Sequence, residues 1–137
     1  MYLLDTNVVS ELRKGPRADG NLLSWFARQP DETLFLSVLV LGEIRRGIES
    51  IAQRDKATTS ALEAWTIRLA DAYEQRILPI TREIANAWGR MNVPDPLPVI
   101  DSLLAATALV HGLTLVTRNS KDVARTGVLV INPFLHS

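Results

Sequence analysis

The chain predicts a three-layer α/β fold, a five-stranded parallel sheet with helices on both faces. Five short apolar runs, at 2–4, 33–37, 77–80, 114–117 and 128–131, are strand-length and too short for helices. Stretches with helical apolar spacing stand between most of them. Strands alternating with helices imply crossover connections, hence parallel pairing with both sheet faces covered. At 137 residues the expectation is one domain over 1–137.

The elements follow in chain order. Tyr2-Leu3-Leu4 is a buried strand that opens straight into Asp5-Thr6-Asn7, with Asn7 placed to cap a helix over Val8 to Arg13. Gly15-Pro16 stops that helix. Asn21 caps a second helix running to Gln29, and Pro30-Asp31 turns into the strand Thr33 to Ser37. Val40, Ile44, Ile48 and Ile51 mark a helix from Val38 to Ile51. Leu62, Trp65, Leu69 and Tyr73 line a longer one from Ala57 to Gln75. Ile77 to Ile80 is a strand, and Thr81 caps a helix to about Met91. Pro94, Pro96 and Pro98 make the next segment a loop, because proline cannot donate to a ladder. Val99 to His111 is an almost wholly apolar helix closed by Gly112. Thr114 to Thr117 and Val128 to Ile131 are the last strands.

Composition excludes several functions. With 47% hydrophobic and 22% charged residues the chain can bury a core and is not a disordered segment. Zero cysteines exclude disulfides and thiolate chemistry, and two histidines, His111 and His136, give no acid–base pair and little for a zinc site. Fifteen basic residues balance fifteen acidic ones, so any polyanion must be bound by a local patch. Met1 to Asp5 carries no basic stretch, so no signal peptide is expected, and Leu103 to Val110 is too short to span a bilayer. A cytoplasmic protein with no membrane partner is expected. There is no G-x-G-x-x-G after Leu4, no phosphate-binding G-x-x-x-x-G-K-[ST] and no G-x-S-x-G.

In open α/β sheets ligands bind beyond the carboxyl ends of the strands, and acids collect there. Asp5 follows the first strand; it either caps the next helix or serves a site, and Asn7 leaves it free for the latter. Glu43 stands at the border of an apolar helix stripe, and Gly47 one turn on leaves space over it. Asp101 is the sharpest signal, a carboxylate in the first turn of the most apolar helix. The free backbone N–H groups there relieve part of its burial, and a cation would relieve more. Asn119 and Asp122, after the fourth strand, are turn residues or further oxygen donors. An all-oxygen set without His or Cys suits hard cations such as Mg²⁺ and Mn²⁺. The matching chemistry is metal-assisted attack of water on a phosphodiester.

Leu3-Leu4-Asp5-Thr6-Asn7, Glu43, Asp101 at the head of an Ala-rich helix, and Leu115-Val116-Thr117-Arg118-Asn119 followed by Asp122 resemble the PIN-domain nucleases. The likeness is greatest to the VapC and FitB toxins of bacterial type II toxin–antitoxin pairs, whose close is similar to Val130-Ile131-Asn132-Pro133-Phe134 here. It covers the whole chain. The resemblance implies a PIN-like sheet and a Mg²⁺- or Mn²⁺-dependent ribonuclease with Asp5, Glu43 and Asp101 as catalytic, metal-binding acids. The fourth acidic position of many members falls at Asn119, which leaves a second metal open, and Asp122 either assists or fixes the loop. Thr6 and Thr117 would orient a carboxylate or a bound water. Also implied are a homodimer, a transfer-RNA substrate and a small antitoxin that inserts into the site, with operator DNA bound only through that complex. Twelve of the fifteen basic residues are Arg, which suits forked contacts to phosphate or carboxylate, although Arg-favouring codons explain the bias equally well. Arg13, Lys14, Arg45, Arg46 and Arg118 are the basic residues nearest the acidic edge, as RNA or antitoxin contacts. Phe26, Trp65 and Trp88 serve either a partner or the core.

Two other readings compete. A non-catalytic module would use the same acids only for its partner and DNA control, and Asn119 in place of an acid keeps that reading open. A phosphatase-type site would need a second acid two residues after Asp5, where Asn7 stands.

Overall fold

The computed structural model describes residues 1–135. Five parallel strands, β1 (Tyr2–Leu4), β2 (Leu34–Ser37), β3 (Ile77–Leu78), β4 (Thr114–Val116) and β5 (Val130–Ile131), form one sheet in the order β3-β2-β1-β4-β5. Tyr2 stands between Leu34 and Thr114, and Leu4 opposite Val116. Helices α1 (Thr6–Leu12) and α2 (Gly20–Ala27) join β1 to β2, and α3 (Val38–Ile51) and α4 (Lys56–Ala72) join β2 to β3. Helices α5 (Arg82–Met91) and α6 (Val99–His111) then lead back across the sheet to β4. Crossovers are right-handed, so reversing their direction after β3 moves α5 and α6 to the opposite face from α1 to α4. The predicted three layers follow.

Leu3, Leu4, Leu36 and Val116 are fully buried, as strands covered on both sides must be. Val8, Val40, Ile48, Leu104 and Leu115 join them in one contiguous core. Phe26 and Trp65 pack against it, partly buried. Trp88 is held on α6 by Nε1, which donates to Ser102 Oγ at 2.9 Å. Every buried side-chain nitrogen and oxygen among the described residues has a partner, so the core tolerates its polar members. No helix among them is long and apolar enough to cross a membrane.

Several boundaries differ from the sequence prediction. Helix α1 starts at Thr6, because the Asp5 carboxylate itself caps it, accepting from Thr6 N at 2.6 Å; Asn7 therefore lies inside the first turn and cannot cap. Asp19, not Asn21, caps α2, accepting from Leu22 N at 3.0 Å. Asn21 Nδ2 donates instead to the Phe134 carbonyl at 2.9 Å, a partner 113 residues away. Helix α4 ends at Ala72 rather than Gln75. The following turn places Arg76 where its guanidinium binds the carbonyls of Asp31 and Leu34, tying the helix end to β2. The predicted strands at 77–80 and 128–131 shrink to Ile77–Leu78 and Val130–Ile131. His136 lies outside the described residues.

Candidate metal centre at the carboxyl edge of the sheet

Strand order reverses between β1 and β4, which makes their carboxyl ends the place where a crevice must open. Asp5 stands there. Its amide donates to the Val116 carbonyl at 2.9 Å, extending the β1–β4 ladder by one residue and fixing the backbone. The residue is 6% exposed. Oδ1 accepts from Thr6 N, and Oδ2 accepts from Thr117 Oγ1 at 2.6 Å and Asn7 Nδ2 at 3.3 Å. Burial pushes the Asp5 pKa up; the bonds from Thr117 and Thr6 pull against that, and the Glu43 charge adds to it.

Helix α3 begins at the same edge, capped by Ser37, and carries Glu43 to a half-buried position. Thr6 Oγ1 donates to Glu43 Oε1. Above Glu43 the surface is open, and a Cβ at Gly47 would meet nothing within 4 Å. Asp101 lies in the first turn of α6. Burial raises its pKa, and the charges of Asp5, Asp122 and Glu43 raise it further, in that order. Among the described residues its carboxylate has no hydrogen bond and no salt bridge. Asp122 lies in the first turn of the short helical segment Ser120–Thr126 after β4, its amide donating to the Asn119 carbonyl at 3.1 Å. Asn119 is exposed, and its amide donates to Thr117 Oγ1 at 3.0 Å.

The acids singled out in the sequence, which enter from β1, α3, α6 and the segment after β4, are thus close enough to disfavour one another's charge. They are not drawn into a ready ligand cage: no three acids or histidines among the described residues converge as metal ligands. The donor set nonetheless fits a hard divalent cation. It is all oxygen, two of its carboxyls are held where their charge is costly, and among the described residues none pairs with Asp101 to neutralise it.

Of the basic residues, Arg45 is forked onto Glu63 at 2.7 and 3.0 Å, so its donors are occupied. Arg46 is exposed, its Nη2 3.9 Å from Glu43 Oε2. Lys14 pairs with Glu11 at 3.0 Å. Arg13 is unpaired among the described residues and lines a groove with Leu62 and Trp65 that ends at Thr6, Glu43 and Gly47, a cavity of about 230 Å³. Two contributors escaped the sequence. Asn7 links Asp5, Thr117 (Nδ2 to Oγ1 3.4 Å) and the Arg118 amide, which donates to Asn7 Oδ1 at 3.2 Å. Phe134 lies under Arg118, with the guanidinium carbon 3.8 Å from the ring centroid. The D-T-N motif signals the first, since a polar residue two after a strand-end Asp shares its edge; nothing local signals the second.

Residues 2–129 match the PIN domain family. The chain belongs to the PIN-domain family. It is 30% identical over 98% of its length to the VapC ribonuclease Y4jK of Sinorhizobium fredii, covering 98% of that protein. A solved structure of FitAB bound to an IR36 DNA fragment superposes with a TM-score of 0.88 at 26% identity, covering 100% of this chain and 98% of that one. A toxin–antitoxin complex from Klebsiella pneumoniae gives 0.67 at 27% identity, over 97% and 98% of the two chains. This PIN domain therefore has the topology that its motifs imply.

Proposed function

We propose that this PIN domain is a metal-dependent endoribonuclease, the toxin of a type II toxin–antitoxin pair, that hydrolyses RNA phosphodiesters, transfer RNA being the substrate class. The observation that carries this reading is the Asp101 carboxylate, without a hydrogen bond or ion pair among the described residues, whose charge meets that of the buried, hydrogen-bonded Asp5 at the sheet's reversal point. The ribonuclease name of one relative and the toxin–antitoxin complex of another support it. Asp5, Glu43 and Asp101 would hold Mg²⁺ or Mn²⁺, which supplies Lewis-acid activation of water and of the phosphodiester. The chain's own part is positioning. Thr117, Asn7 and the Thr6 amide fix the Asp5 carboxylate in one orientation, and the Thr6 hydroxyl fixes that of Glu43. The free N–H groups of the α6 N-terminus support charge on Asp101.

In-line attack by water leaves a 5′-phosphate and a 3′-hydroxyl. The groove along Arg13, Leu62 and Trp65 ends at Glu43, so a segment of an antitoxin lying in it would reach the acids and block RNA. Operator DNA would be bound through that complex, and the active toxin would be a cytoplasmic homodimer.

The test is Mn²⁺ calorimetry and RNA cleavage on the antitoxin-free protein beside an Asp5→Asn/Asp101→Asn double variant. Metal binding and 5′-phosphate products in the wild type, both lost in the variant, are expected; cleavage by the variant at the wild-type rate would overturn the assignment. A second reading, a non-catalytic module acting through its partner, has one observation in its favour, the lack of a converged three-acid cage among the described residues. It predicts intact RNA in every metal.

A further inference from the structure

Most arginines near the acidic edge are engaged with carboxylates or are exposed and unconstrained. Arg118 is neither. Its amide is pinned by Asn7 Oδ1 at 3.2 Å, and its carbonyl accepts from Asn132 Nδ2 at 3.3 Å. The guanidinium carbon lies over the Phe134 ring, 3.8 Å from its centroid, and among the described residues the guanidinium has no hydrogen bond or ion pair, only the longer-range charge of Glu11. Phe134 is itself fixed. Its amide donates to Asn132 Oδ1 at 3.0 Å, and its carbonyl receives the Asn21 amide. An arginine ordinarily loses much rotamer freedom on binding a ligand. Here stacking has already removed part of that freedom while leaving the donor fork open. The residue follows directly on Thr117, whose hydroxyl holds Asp5.

Beyond the stack, between α2 and the segment after β5, lies a cavity of about 280 Å³ whose lining joins Asn21, Ser24, Trp25, Arg28 and Asn132 to the apolar Ile131, Pro133 and Leu135. The indole face and the second guanidinium, beside amide and hydroxyl groups, suit the base and phosphate of a nucleotide; an acidic peptide would engage the guanidiniums but bring no base to stack on the indole. We propose that Arg118, stacked on Phe134, is a preset phosphate clamp that leads a single-stranded RNA from the acids into the cavity beside α2. The clamp rests on the ribonuclease reading above and names how that site would grip its substrate.

RNA binding is measured in the Asp5→Asn/Asp101→Asn background, which removes both cleavage and two repelling charges, by fluorescence polarisation of a 20-nucleotide single strand against salt. Arg118→Ala should weaken binding about tenfold and lower the salt slope by about one. Phe134→Leu, which keeps the charge and removes the ring face, should weaken it about threefold with the slope unchanged and the melting temperature within a few degrees. Arg54→Ala, the same charge change beyond the far end of α3, should leave affinity unaltered. An Arg118→Ala loss matched by Arg54→Ala, or no loss at all, would overturn the clamp while leaving the nuclease reading intact. A loss confined to a Glu-rich peptide would overturn it in favour of a protein contact. A background protein that binds no RNA would sink the ribonuclease reading and the clamp with it.

Discussion

Asp101 shows how a single side chain can be placed against stability. Its carboxyl and that of Asp5 both prefer the protonated form in the fold, chiefly through burial. A raised folded pKa means that the native state binds the proton more tightly than the unfolded chain does. The stabilisation is complete below the ordinary carboxylate range and is lost as pH rises through the raised values. These two acids therefore take stability away from the metal-free protein as pH rises from about 4 to 7. Asp101→Asn should raise the melting temperature at pH 7, with the gain shrinking to nothing as pH falls to about 3. Circular dichroism melts of both proteins across that range check it; an Asn variant less stable at pH 7 would show that the carboxylate has a protein partner after all. Asp5 also carries a lesson about ambiguity. Helix cap and site residue are two readings of one residue type in the sequence, and the structure assigns both, one oxygen to the Thr6 amide and the other to Thr117.

At the scale of elements, the strong periodic signals survived and the weak ends did not. Helices α3 and α6 run over the predicted residues, because each has a clear terminus: Ser37 accepts from Leu39 N at 3.1 Å, and Gly112 closes α6 at φ +66°. Gly112→Ala should cost about 1–2 kcal/mol, since an L side chain is strained in that left-handed conformation. Gly89 in the last turn of α5, where the backbone is still right-handed and a Cβ would meet nothing within 4 Å, should behave oppositely. Gly89→Ala should stabilise by about 0.5–1 kcal/mol, because it removes only unfolded-state freedom. Urea unfolding of the two variants reads both signs; equal signs would mean that helix-end geometry is not what sets the Gly112 cost. The ends of α2 and α4 were illegible for a stated reason. Asn21 and Arg76 are recruited by Phe134 and by β2, partners that no local window contains.

Across the whole molecule, α6 does two tasks at once. Its buried Leu104, Ala105 and Ala108 anchor one face of the sheet, while its first turn delivers Asp101 to the edge. Leu104→Ala should cost about 2–5 kcal/mol, as a large-to-small change in a filled core does. Its denaturation midpoint should fall with the slope unchanged, and a loss under 1 kcal/mol would mean that the core collapses around the gap. The sequence by itself determined the fold class, the strand and helix order and which acids stand near the carboxyl edge of the sheet. Those depend on periodicity, on turn residues and on what a strand end can carry, all local properties. Only the tertiary structure decided which neighbours the acids have, that Asn7 and Thr117 lock Asp5, that Arg45 is occupied by Glu63, and that Phe134 lies beneath Arg118. Such contacts join residues far apart in the chain, and their geometry follows from strand register and crossover direction, which no short segment encodes.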